Sequence, residues 1–153
     1  MLPGSTYLFS RLIQLPVWAT RRAVEETKPE VFRQKYPLTR VVLDCTELFI
    51  EKPSCFRAQS ETYSSYKSHN TAKGLVAIAP NAALTFVSDL YGGHCSDKVI
   101  VEHCGILQRL EEGDALMADR GFEIQDLLAS KNVYLNIPPF MRSKDQLNTD
   151  EED

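Results

Sequence analysis

The sequence predicts an α/β domain: one mixed sheet, antiparallel then parallel, flanked by helices and preceded by short N-terminal helices. Three observations carry this. Short runs of β-branched and aromatic residues, such as "VVLDCTELFI" at 41–50, alternate with stretches of helical spacing. Two strands, "KGLVAIAP" and "ALTFVSDLY", flank a Pro80-Asn81 turn and so pair as an antiparallel hairpin. Two later strands, "DALMAD" and "VYLNIP", each follow a helix, as parallel crossovers do.

The elements follow in order. Leu8, Phe9, Leu12, Ile13 and Leu15 have helical spacing, with Ser5 as cap and Pro16 as terminator. Thr20 caps a second helix, "RRAVEETK", and "KPEVFRQKYP" is a third, with Pro29 at its start and Pro37 beyond its end. The first strand covers about 40–50. "KPSCFRAQSETYSSYKSHNT" is a loop or short helix. Strands follow at 73–79 and 83–89, and Asn81 is expected to take a left-handed conformation in the turn. Gly92 and Gly93 break the chain. "SDKVIVEHCGILQRL" is one helix capped by Ser96 or Asp97, and "GFEIQDLLASKN" is another. Strands at 114–119 and 133–136 complete the sheet, and an acidic tail, "RSKDQLNTDEED", ends the chain. Residues 1–37 are expected to form a helical segment and 38–153 the domain proper.

The chain has 153 residues, enough for one core, and carries a net charge of -4, without the basic excess of a dedicated nucleic-acid binder. No apolar stretch reaches membrane-span length, so no membrane partner is expected. The N-terminus is interrupted by Arg11 and Gln14, a poor secretory signal; its lack of acids before Glu25 leaves a transit peptide as the alternative. Cys45, Cys55, Cys95 and Cys104 form no CxxC pair and are expected to be reduced thiols in an intracellular protein.

The chemistry lies in the acids. Asp44 and Glu47 interrupt an apolar strand, where an unpaired carboxylate is costly. Asp119 ends the fourth strand. If the first and fourth strands are neighbours, Asp44 and Asp119 face each other, and a divalent cation is the natural partner for two close carboxylates. The competing explanation is that each Asp forms a turn or pairs with an arginine such as Arg40 or Arg120.

"VVLDCTELFIEKP", "YSSYKSHNTAKGLVAIAP", "FVSDLYGGHCSD" and "GDALMADRGFEI" occur in one order. Together they resemble the DDE superfamily endonuclease domain of Harbinger-type transposases and their domesticated relatives, from about Pro16 to the end. The resemblance implies a ribonuclease-H-like fold and cleavage of DNA phosphodiesters with Mg²⁺ or Mn²⁺ on an Asp-Asp-Glu triad. It implies DNA as partner, a separate DNA-binding protein as a further partner, and the nucleus as location, with the cytoplasm as the alternative. Asp44 matches the first triad position and Asp119 the second. The family's Glu lies in a helix of the type Arg-x-x-Val-Glu-Arg, downstream of a segment resembling "IPPFMRSKDQL". No such helix follows here, and Glu151 and Glu152 resemble the linker before it. The chain is thus expected to be truncated at its C-terminus and weak or inactive; a non-catalytic DNA- or protein-binding module is the alternative.

Asp97 is either a helix cap or a further carboxylate near the metal. Lys67, Lys73 and Arg120 are candidates for contact with DNA phosphates. Phe56, Tyr63 and Tyr66 either stack on bases or pack in the core or at its rim. "HC" at 94–95 and at 103–104 raises a zinc site, against the geometry that one tetrahedral ion needs.

Overall fold

A computed structural model describes residues 18–139 of the chain. The helix expected after Ser5, the acidic tail, Glu151 and Glu152 lie outside these residues. Helix α1 (Arg21–Thr27) starts where its cap predicts: Thr20 Oγ1 accepts from the Ala23 N–H at 3.1 Å. Helix α2 (Glu30–Lys35) follows Pro29, whose fixed backbone opens the turn. Next come β1 (Thr39–Phe49), α3 (Phe56–Thr62), β2 (Tyr63–Ser64), β3 (His69–Ile78), β4 (Leu84–Val87), β5 (Tyr91–Gly92) and α4 (Asp97–His103). Strand β6 (Ala115–Met117), a 3₁₀ turn (Arg120–Phe122), α5 (Gln125–Ala129) and β7 (Tyr134–Asn136) complete the described chain.

The sheet runs β2-β3-β1-β6-β7, with β4 and β5 also on the outer edge of β3. Strands β1 and β3 pair antiparallel from Val42↔Ile78 to Phe49↔Thr71. Strand β6 pairs parallel with β1, and β7 parallel with β6. This is the mixed α/β arrangement expected, with a ribonuclease-H-like order of antiparallel then parallel strands. Alternation along β1 turns Val41, Leu43 and Cys45 toward one face. There Val41 and Leu43 join Leu75, Ala77, Ile100, Leu116, Ile124 and Leu128 in the core. Burying each large aliphatic contributes about 1.5–3 kcal/mol, so this face holds β1, the strand that carries the acids, in place.

The N-terminal segment is tied to the base of the sheet by charge. Arg40 is buried, donates to Glu111 at 2.7 Å, Asp114 at 3.1 Å and the Ala19 carbonyl at 2.9 Å, and lies 5.5 Å from the Trp18 ring centroid. Arg21 also reaches Asp114, at 2.9 Å. Arg40 is therefore committed at the far end of β1 and does not pair with Asp44.

Several details differ from the sequence-based expectation. The helix at 96–110 stops at His103, because Gly105 takes φ +93° and turns the chain. Ile106 and Leu110 are buried all the same, so a loop continued the apolar spacing of the helix. The 121–132 helix is a 3₁₀ turn, a bend at Glu123 and the short α5. In the hairpin the left-handed residue is Ala82 at φ +69°, while Asn81 Oδ1 accepts from the Ala83 N–H at 3.0 Å. Gly92 does not simply break the chain: it pairs with Ala72 in β5, and a Cβ there would stand 2.3 Å from the Glu61 carbonyl oxygen. Among the described residues no helix is long and apolar enough to cross a membrane.

Candidate active site

Register sets the site. The last parallel pair between β1 and β6 is Val42↔Met117. Two residues further along each strand come Asp44 and Asp119, so the two acids emerge side by side where β6 ends and β1 continues. Both line one cleft of about 600 Å³, together with Glu47, Lys67, Lys73 and Asp97.

The electrostatics of Asp44 agree with this crowding. The residue keeps an open side toward the cleft. Its carboxyl pKa is nonetheless raised above the ordinary aspartate value, first by desolvation and then by the charges of Asp97 and Asp119, with the Cys45 backbone pulling the other way. Among the described residues it has no salt-bridge partner. Asp119 caps the 3₁₀ turn after β6: its Oδ1 accepts from the Arg120 N–H at 2.6 Å. It is half-buried, whereas the Arg120 side chain is exposed and makes no ion pair with it among the described residues.

Lys73 sits inside the wall of the cleft. Its ammonium donates to the Cys95 carbonyl at 2.9 Å and to Asp97 Oδ1 at 3.3 Å, and lies 3.6 Å from Glu47 Oε1. The side chains of Lys73 and Glu47 are 11% and 9% exposed, and that of Asp97 28%. Thr71 Oγ1 donates to the other Glu47 oxygen at 3.0 Å. Asp97 is thus not the helix cap: Ser96 Oγ accepts from the Val99 N–H, and Asp97 turns inward to Lys73. Glu47 is the site residue that the sequence reading left without a role. Its signal was the same as that of Asp44, an acid within an apolar strand, and its directly paired residue across the sheet is Lys73.

Lys67 also lines the cleft, exposed, with its ammonium 4.9 Å from the centroid of the Tyr66 ring. The two His-Cys pairs do not meet. His94 and Cys95 precede α4, and His103 and Cys104 end it, so two turns of helix separate them. Burial also raises the thiol pKa of Cys95 and Cys104, opposing the thiolate that zinc needs. All four cysteines are free.

Among the described residues no three His, Cys, Asp or Glu side chains stand close enough to hold a metal ion. At this cleft Glu47 and Asp97 are instead paired with Lys73. What remains is a pair, Asp44 and Asp119, of the hard oxygen donors that Mg²⁺ and Mn²⁺ take.

A family model described as DDE superfamily endonuclease matches residues 43–153, from the start of the acid-bearing half of β1 to the end. The chain belongs to the DDE superfamily endonucleases. No curated protein and no solved structure matches it. Asp44 and Asp119 fall within the matched region, as does the Lys73 network; the arginine-anchored segment before β1 falls outside it. Enzymes of this family act on DNA and generally use divalent metals.

Proposed function

We propose that the chain is the nuclease domain of a Harbinger-type transposase lineage, that Asp44 and Asp119 are its metal-binding catalytic pair, and that it acts on DNA phosphodiesters in the nucleus. The observation that carries this reading is the parallel β1–β6 register, which brings the two acids together at the mouth of one cleft. The raised pKa of Asp44 supports it, because crowded carboxylates gain most from a cation. A divalent cation held by the pair supplies the positive charge that activates a water and stabilises the leaving oxygen. The protein's own groups orient the substrate. Lys67 and Arg120 are exposed near the acids and available to phosphate. Lys73 instead neutralises Asp97 and Glu47, so its role is to position the wall of the cleft, and Asp97 joins the metal only if it leaves Lys73. Residues 1–37 form, in this reading, a helical segment preceding a nuclease domain that starts near 38.

No Arg-x-x-Val-Glu-Arg segment follows Asp119 in these 153 residues to supply a third carboxylate. We therefore expect weak or no cleavage from them alone, since losing a group that stabilises transition-state charge costs about 10²–10³ in rate or more. In Mn²⁺ the 153-residue chain is expected to nick supercoiled plasmid no faster than its Asp44→Asn variant, and a chain extended by a Glu-bearing helix is expected to gain activity. Clear Asp44-dependent nicking by the 153-residue chain would mean that Glu151, Glu152 or Asp97 completes the site.

One observation favours a second reading, a domesticated non-catalytic module that binds DNA or protein: the described acids form no three-ligand group. A gel shift that persists in EDTA, with no nicking even in the longer chain, decides for it.

A further inference from the structure

We propose that the groove between α3 and the β2–β3 turn is a seat for single-stranded DNA, stacking unpaired bases on Phe56 and Tyr63 beside the acid cleft. The inference rests on the reading of the chain as a protein that acts on DNA. The groove encloses about 650 Å³ and is lined by Lys52, Phe56, Gln59, Tyr63, His69 and His94 among others. Phe56 is 85% exposed and Tyr63 44%, so core packing of these rings is excluded. Phe49, also exposed, lays its ring on His69 at 4.7 Å between centroids and extends the aromatic surface past the rim.

Charge selects the occupant. Among the described residues no Asp or Glu lines the groove, in a chain whose net charge is -4. In the polar lining Lys52, Gln59, His94 and the serines offer donors to a phosphate backbone, while the Asn70 amide is spent on α3 and His69 Nδ1 on the Asn70 carbonyl. The exposed rings offer π-faces to bases, which stack on aromatics without sequence preference but only when they are not already stacked in a duplex. An apolar protein surface would leave those donors unmatched.

The groove is preformed and lies across one turn from the acid cleft. Buried Asn70 donates to the Gln59 carbonyl at 2.9 Å and to Thr62 Oγ1 at 3.0 Å, clamping α3 onto β3. The turn between β2 and β3 divides its side chains: Ser65 and Ser68 line the groove, and Tyr66 and Lys67 line the acid cleft. Ser68, at φ +51°, and the Lys67 N–H, donated to Ser64 Oγ at 3.2 Å, hold that turn. Lys67, on the far side of that turn, is the cation a strand leaving the groove would meet on the acid-cleft side.

The test is a titration of the full chain into fluorescein-labelled oligothymidylate in EDTA, followed by anisotropy. Without metal, failure of the metal site leaves this measurement untouched, so the two ideas fail separately. Single-stranded DNA is expected to bind more tightly than a duplex of the same length. Phe56→Ala and Tyr63→Ala each weaken binding roughly 5- to 150-fold, the range for loss of one stacking platform, and Phe56→Trp retains it. Phe56 is almost wholly exposed, so Phe56→Ala melts as the wild type does; Tyr63 is more than half covered, and a thermal melt of Tyr63→Ala separates lost stacking from lost fold. Wild-type affinity in the double alanine variant overturns the proposal, as does equal binding of duplex. A change in sedimentation of the free protein in place of a change in DNA binding also overturns it, by making the patch a protein contact.

Discussion

Replacing Lys73 by methionine probes the interior of the cleft. The substitution keeps most of the side-chain volume and removes the ammonium that faces Glu47 and Asp97. Glu47 is almost wholly enclosed, so it has little water with which to replace the lost partner. Breaking a buried pair by removing one member costs about 3–5 kcal/mol. Asp97 is partly solvated, which places the expected loss near the lower end, about 3 kcal/mol. For a chain of this size that lowers the melting temperature by roughly 6–12 °C. Thermal melts by circular dichroism at neutral pH read the effect. A variant that melts within a degree or two of wild type would refute the assignment of Lys73 as the counter-charge of the cleft.

Asp44→Asn should leave the metal-free chain as stable as wild type or more so at pH 7. Its raised pKa means that the folded state holds the proton more tightly than the unfolded chain, so the charged form costs stability above that pKa. The cost disappears as pH falls through it, and the two melting curves should converge there; a clear destabilisation at pH 7 would show that Asp44 is held by a favourable partner. Gly92→Ala should be destabilising by about 1–3 kcal/mol, the usual range for overpacking, since the new Cβ meets backbone at Glu61. Gly121→Ala, where nothing lies within 4 Å, should melt unchanged and serves as the control.

What was legible in the sequence was whatever depends on near neighbours. The alternation of β1, the Thr20 cap and the apolar run ending in Asp119 are local patterns, and the strand order followed from which elements a helix separates. The pairing of Asp44 with Asp119 was legible because two short strands carry one acid each, and a mixed sheet of this order places those strands together. The Lys73 network was not. Its members, Glu47, Lys73, Cys95 and Asp97, come from three elements far apart in sequence, and nothing near Asp97 says that it turns from the helix end toward a buried lysine. Strands β2 and β5 were missed because two residues carry no periodicity. The α4 boundary was misplaced because Ile106 and Leu110 pack in the core from a loop, which copies the spacing of a helix.

The pairing of Asp44 with Asp119 is tested most directly by Mn²⁺ titration of the 153-residue chain, followed by loss of the free-ion electron paramagnetic resonance signal. One weak site is expected in the wild type, lost in Asp44→Asn and in Asp119→Asn, and kept in Arg120→Ala. If both aspartate variants take up Mn²⁺ as the wild type does, or if the wild type itself binds none, the two acids are structural and the cleft is not a metal centre.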